Sequence, residues 1–145
     1  MNIKKVVIIG SGTMGSGIAA HLCNANIPVV LLDLKTEIAE KAKEKILKSR
    51  PPLLFESSKI KSLKTGNISD NFDNVADADW IIEAVVERIN IKHEIYEKIL
   101  KARKKESVIS SNTSTIPLKI LSQKMNNADK KDFCITHFFN PVRYM

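Results

Sequence analysis

A β-branched run from Lys5 to Ile9 breaks into Gly10-Ser11-Gly12-Thr13-Met14-Gly15-Ser16-Gly17, and apolar residues then resume at helical spacing with Ile18, Ala19, Leu22 and Cys23. A strand that enters a glycine-rich turn and leaves it as a helix is a narrow geometric specification. After Asn24-Ala25-Asn26 a second apolar run, Ile27 to Asp33, reads as another buried strand. The segment up to Asp33 therefore predicts one complete βαβ unit.

In this G-x-G-x-x-G pattern each glycine has its own job. Gly10 permits the tight turn, Gly12 lets backbone amides approach a pyrophosphate, and Gly15 lets helix and strand pack closely. The stretch Gly10, Ser11, Gly12, Thr13, Met14 and Gly15 is the candidate anion cradle, because a helix N-terminus offers free N–H groups and a partial positive charge. Asp33 closes the second strand 18 residues past Gly15. A carboxylate there accepts hydrogen bonds from both ribose hydroxyls and repels a 2′-phosphate. NAD is the expected cofactor, ahead of NADP, with Lys35 the one neighbouring charge that pulls the other way.

Beyond Asp33, Thr36 is expected to cap a helix carrying Ile38, Ala42, Ile46 and Leu47 on one face, ended by Pro51-Pro52. A helical protrusion should follow, with a second helix around Lys59 to Lys64 ending at Gly66 and a short strand from Ile68. Trp80 to Val86 reads as a strand and Ile91 to Ala102 as a helix with Ile95, Ile99 and Leu100 inward. Ser107 to Ser111 is the next strand, Pro117 opens a helix through Met125, and Phe133 to Phe138 is the last strand. Apolar strands alternating with helices predict an α/β fold of the Rossmann type, a doubly wound and mostly parallel sheet in one domain over residues 1–145.

Composition narrows the function classes. The chain is 43% hydrophobic and 27% charged, as soluble globular proteins are, and no apolar stretch approaches a membrane span. With no secretory signal pattern, a cytoplasmic protein is expected. The net charge of +7 comes from lysines interleaved with Glu40 and Glu44, and the aromatics, 6% of residues, are not interleaved with the basic ones. That is a solvated helix face, so nucleic acid is not an expected partner. Cys23 and Cys134 are too few for a disulfide framework or a metal site and are expected to be reduced, buried thiols.

Three further segments fall at the carboxyl ends of predicted strands, where open α/β sheets bind ligands: Glu83 to Glu87, Ser111 to Thr115, and His137-Phe138-Phe139-Asn140-Pro141. In order with the glycine loop they resemble, over the whole chain, the NAD-binding domain of the L-3-hydroxyacyl-CoA dehydrogenases of fatty-acid β-oxidation. The resemblance implies that His137 is the base that takes the 3-hydroxyl proton, Ser114 the serine that bonds the substrate oxygen near the nicotinamide, and Asn140 an asparagine lining the same site. Glu87 and Lys92 fall where the family contacts the nicotinamide half of NAD, and an acyl-CoA substrate would run along the lysine-rich helices after Asp33. Glu83 and Glu87 are not an acid–base pair, and His21 and His93 are expected to be ordinary surface or packing residues.

The family's histidine is oriented by a glutamate about a dozen residues later, whereas this chain ends eight residues after His137. That acid, and the helical domain that closes over substrate and carries most of a homodimer interface, are expected to lie outside these residues. The chain alone is then expected to be weakly active or inactive. Two other readings stay open from the residues: an NAD-dependent dehydrogenase of a non-CoA hydroxy acid, and an NAD-binding module or gene remnant without catalysis.

Overall fold

The computed structural model describes residues 2–145. Six parallel strands form one sheet in the order β3-β2-β1-β4-β5-β6. They are β1 (Val6–Ile9), β2 (Val29–Asp33), β3 (Leu63–Asn67), β4 (Trp80–Glu83), β5 (Val108–Ser111) and β6 (Phe133–Ile135). The helices are α1 (Thr13–Asn24), α2 (Thr36–Lys48), α3 (Ile89–Ala102), α4 (Leu118–Leu121) and α5 (Asn127–Lys130). This is the expected doubly wound fold.

Alternation along β1 divides the core. Val6 and Ile8 face α1 and α2, packing with Ile18, Leu22, Ala42 and Ile46, while Val7 and Ile9 face α3, packing with Ile95, Tyr96 and Ile99. With both faces covered, central strands must be apolar at every position, which is why β1 reads as an unbroken run. Register is fixed by pairing Ile9 with Leu32 on one side and with Glu83 on the other.

Several local expectations are corrected. The helical segment expected after α2 is present only as a short 3₁₀ turn. Residues Ser57–Ser62 form a 3₁₀ turn, and the next five residues are the edge strand β3 rather than a helix ending at Gly66. Lysine-rich composition suggested a solvated helix, but Leu63 is buried and the strand pairs with β2. The segment is pinned to the end of α1 and the turn after it, because the Asn24 side chain donates to Leu53 O and accepts from Phe55 N, while Lys59 Nζ donates to Asn26 Oδ1. Thr36 does not cap α2. Lys35 occupies that position, and Thr36 Oγ1 instead accepts from Asn67 Nδ2, tying α2 to β3. The buried face of α2 is Ala39, Ala42 and Ile46, leaving Ile38 and Leu47 largely exposed.

β4 and β6 are shorter than their apolar runs, because Ala84 to Val86 and Thr136 to Phe139 turn out of the sheet at its carboxyl edge. The helix from Pro117 stops at Leu121, and a further turn, α5, is capped by Asn126, whose side chain accepts from Asp129 N. Cys23 is buried and burial pushes its thiol up to about 11, whereas Cys134 is only half-buried, contrary to expectation, though its thiol is also raised by burial.

At the opposite edge, Asp79 precedes β4 and accepts from Lys104 Nζ at 2.5 Å and from the Lys4 and Lys5 amides at 2.7 and 3.0 Å. The Lys104 hydrogen bond, followed by that of the Lys4 amide, holds this carboxyl at about 2 instead of the ordinary 3.8. A carboxyl depressed in the folded state contributes stability above its unfolded value, and that contribution is lost as pH falls through the folded one. Asp79→Asn is therefore expected to lower Tm at neutral pH, with the gap to the parent closing between about pH 4 and about pH 2. Thermal melts across that range check it, and a gap unchanged at the acid end contradicts it.

Candidate functional site

The strand order reverses at β1, so the chain leaves β1 and β4 in opposite directions and a crevice opens outside their carboxyl ends. The crevice encloses about 750 Å³, within the range of small-molecule and cofactor sites. Gly10, Ser11, Gly12 and Thr13 form one wall, Ala84 to Val86 another, and Asp33 and Asn140 also face it. Leu34 and Ile38 add apolar surface, and Lys41 and Lys45, one turn apart on α2, add positive charge.

The three glycines of the loop meet different surroundings. Gly10 has φ +103°, and a Cβ on it would stand 2.4 Å from the carbonyl oxygen of Ala84. A Cβ on Gly15 would stand 1.9 Å from the carbonyl oxygen of Gly10. At Gly12 nothing lies within 4 Å of the corresponding point. The open side of Gly12 faces the crevice, and no side chain caps the start of α1. Free first-turn amides over an unobstructed glycine fit the pyrophosphate of a dinucleotide. The Ser11 amide and hydroxyl donate to Asp33 Oδ2 at 2.7 and 2.6 Å, and Leu34 N donates to Oδ1 at 2.7 Å. Asp33 therefore sits against the loop as a carboxylate acceptor, as a ribose diol requires.

Behind the crevice lies a cluster that joins Glu87 and Lys92, both expected at the site, to Glu83, for which no role was expected. Glu83, the last residue of β4, is 0% exposed. Its Oε1 accepts from Lys92 Nζ at 2.6 Å and Val85 N at 2.9 Å, and its Oε2 from Tyr96 OH and Ser111 Oγ, both at 2.6 Å. Lys92, 1% exposed, also pairs with Glu87 at 3.2 Å. Burial and then the charge of Glu83 push the Tyr96 phenol up, so it stays a donor. Glu87 accepts from the Thr113 and Thr115 hydroxyls. Burial would raise its carboxyl, but the Thr113 hydrogen bond and the contact and charge of Lys92 outweigh it and hold Glu87 below the ordinary range.

The expected site residues are thus distributed in depth. Gly10, Ser11, Gly12, Thr13, Asp33 and Asn140 share the crevice wall. Gly15 is buried beneath the loop and Met14 packs toward the core. Ser114 is exposed on the loop after β5, Glu87 is half-exposed, and Lys92 is enclosed between its two carboxylates. His137 is exposed, its ring tilted at 46° against Phe139 with centroids 4.6 Å apart, and among the described residues it forms no ion pair. Asn112 Oδ1 accepts from Phe138 N, joining the β5 loop to the segment that carries His137 and Asn140. Glu83 and Thr113 fall within the strand-end segments named from the sequence but were given no role there, and Tyr96 was not singled out. The available signal was a carboxylate ending an apolar strand, with Lys92 and Tyr96 one helical turn apart nearby.

Residues 5–145 match the family model described as 3-hydroxyacyl-CoA dehydrogenase, NAD binding domain. A protein of Rickettsia felis, named as a trifunctional enzyme of a fatty acid oxidation complex, is 45% identical over 99% of this chain and 21% of its own length. One from Deinococcus radiodurans, named as a 3-hydroxyacyl-CoA dehydrogenase, is 38% identical over 100% of this chain and 44% of its own. The crystal structure of a 3-hydroxybutyryl-CoA dehydrogenase from Escherichia coli superposes with a TM-score of 0.86 at 29% identity, over 100% of this chain and 31% of that one. The chain thus spans less than half the length of these proteins.

The contrast between the two glycines makes a discriminating test. Gly15→Ala is expected to cost about 2 kcal/mol through overpacking and lower Tm by roughly 5 °C. Gly12→Ala should leave Tm within about 1 °C while weakening dinucleotide binding by about tenfold or more, because its methyl group occupies the phosphate's approach. Melting curves and calorimetric titration separate the two effects.

Proposed function

Because the chain belongs to the 3-hydroxyacyl-CoA dehydrogenase family through that family's NAD-binding domain, we propose that it serves the NAD-dependent oxidation of L-3-hydroxyacyl-CoA to 3-ketoacyl-CoA in fatty-acid β-oxidation. The observation that carries the reading is a single crevice at the strand-order reversal, walled by the open amides around Gly12, by Asp33 and by Asn140. Bound NAD supplies the hydride acceptor. The protein's part is to hold it: the first-turn amides of α1 take the pyrophosphate, and Asp33 takes the ribose hydroxyls and disfavours a 2′-phosphate. Glu87 and Lys92 serve the nicotinamide side. Anionic groups of the CoA moiety meet the field of α2, where Lys41 and Lys45 face the crevice.

His137 accepts the proton of the substrate's 3-hydroxyl, a task for an imidazole because it titrates near neutrality. Ser114 bonds the same oxygen, and Asn140 lines the site beside it. A catalytic imidazole works best when a carboxylate holds its tautomer and orientation. With no such partner among the described residues, His137 in this chain is a poorly oriented base, so slow turnover is expected of the chain by itself. Cytoplasmic location and homo-oligomerisation belong to the same proposal.

The purified 145-residue chain is expected to bind NAD more tightly than NADP and to oxidise 3-hydroxybutyryl-CoA far below the ~1–10³ s⁻¹ usual for enzymes. His137→Gln should remove the residual turnover and leave NAD affinity within about twofold. Titration calorimetry and NADH absorbance measure these. Preference for NADP, or no dinucleotide binding at all, overturns the cofactor assignment, and full turnover by the chain overturns the orientation argument.

A further inference from the structure

Two chains of hydrogen bonds leave the buried carboxylate of Glu83 and end on the same residue. One runs from Oε1 through Lys92 to Glu87, whose Oε1 accepts from the Thr113 hydroxyl. The other runs from Oε2 to Ser111 Oγ, which in turn accepts from Thr113 N at 3.3 Å. Thr113 is only 3% exposed, and its Oγ1 accepts from Ile116 N at 3.1 Å and Thr115 N at 3.4 Å, closing the loop on itself. Ser114, between them, is the exposed tip.

The chemistry of Glu83 argues against a direct part in the reaction. Its two oxygens already accept four hydrogen bonds, which fills their lone-pair capacity. A buried carboxylate so occupied cannot accept a substrate proton or a ligand hydroxyl. It can fix where its donors sit, because a buried ammonium stays where its counter-charge is. Lys92 is then a rigid strut rather than a mobile surface lysine, and Glu87 is held between that strut and two threonine hydroxyls.

We propose that Glu83 is the positioning residue for the nicotinamide side of the crevice, setting the place of Glu87 through Lys92 and of the Ser114 loop through both arms that meet at Thr113. The proposal rests on the reading above that Glu87 and Ser114 serve that side. It makes the adenosine side independent of Glu83, because Gly12 and Asp33 are held by other contacts.

The test compares NAD with ADP-ribose, which lacks only the nicotinamide, by titration calorimetry on the whole chain, with hydrogen exchange of the residue 113–116 amides measured without ligand. In Glu83→Gln, NAD affinity is expected to fall by about tenfold, the loss usual for a hydrogen bond to a charged group, while ADP-ribose affinity changes less than about twofold. Exchange at Thr115 and Ile116 should accelerate. Thr113→Val removes the hydroxyl that bonds Glu87 and closes the loop, keeps the amide bond to Ser111 and unpairs no buried charge; it should shift the NAD to ADP-ribose ratio in the same direction, whereas Thr113→Ser should restore the parent values. If Glu83→Gln does not fold, the Thr113 pair decides. An NAD to ADP-ribose ratio unchanged in the folded variants, with parental exchange in the loop, overturns the proposal. If the parent chain binds neither ligand, the cofactor reading fails separately, and loop exchange alone sustains or sinks the relay.

Discussion

The packing of three backbones at Gly10 is the constraint on which the rest of the molecule depends. Gly10 N donates to Leu32 O and Ala84 N to Ile9 O, so the ends of β1, β2 and β4 are bonded together just where α1 begins. A single added carbon at Gly10 or Gly15 would meet a carbonyl oxygen far inside van der Waals contact. This closeness lets α1 start immediately over the sheet edge and aims its first amides into the crevice. It also lets the Ala84 backbone lie against Gly10, beside the Ala84 to Val86 segment that forms the second wall of the same crevice.

Glu83 is the point where that wall is anchored. A buried carboxylate paired with a buried ammonium is not a cheap way to stabilise a fold, since desolvation offsets most of the attraction, but breaking such a pair costs about 3–5 kcal/mol. Its value lies in direction. Hydrophobic contacts between α3 and the sheet, such as Ile95 and Ile99 against Ile9, tolerate small slides. The four hydrogen bonds on Glu83 do not, and they join β4, α3 and β5 at the edge where the site is built. The core sets the layers, and this polar cluster sets how their loops stand to one another.

Much of this was legible in the sequence. The βαβ unit, the apolar strands, the tight turn at Gly10, the close packing at Gly15 and the place of Asp33 at the end of β2 follow from local patterns with strict geometric meaning, and they appear where expected. What misled was composition without geometry. The lysines from Lys59 to Lys64 suggested a solvated helix, yet Leu63 is drawn to the edge of β2 and the segment becomes a 3₁₀ turn and a strand. Thr36 had the chemistry of a cap, but Asn67 offered it a different partner from a strand some thirty residues away. Glu83 was visible only as a polar residue ending an apolar run, because its four donors come from three separate elements.

By itself the sequence determined the fold class, the dinucleotide loop and the family, since each is encoded in contiguous residues or in an ordered set of short motifs. A strand followed by G-x-G-x-x-G has few conformations open to it, whatever the remainder of the chain does. Tertiary structure alone decided which polar side chains face the crevice and which are locked behind it. Lys92 and Asn140 are both polar residues in expected site positions, yet one is enclosed between Glu83 and Glu87 and the other lines the cleft. That difference is made by hydrogen bonds among side chains of β4, the loop after it, α3 and β5, which form only once those elements are packed together.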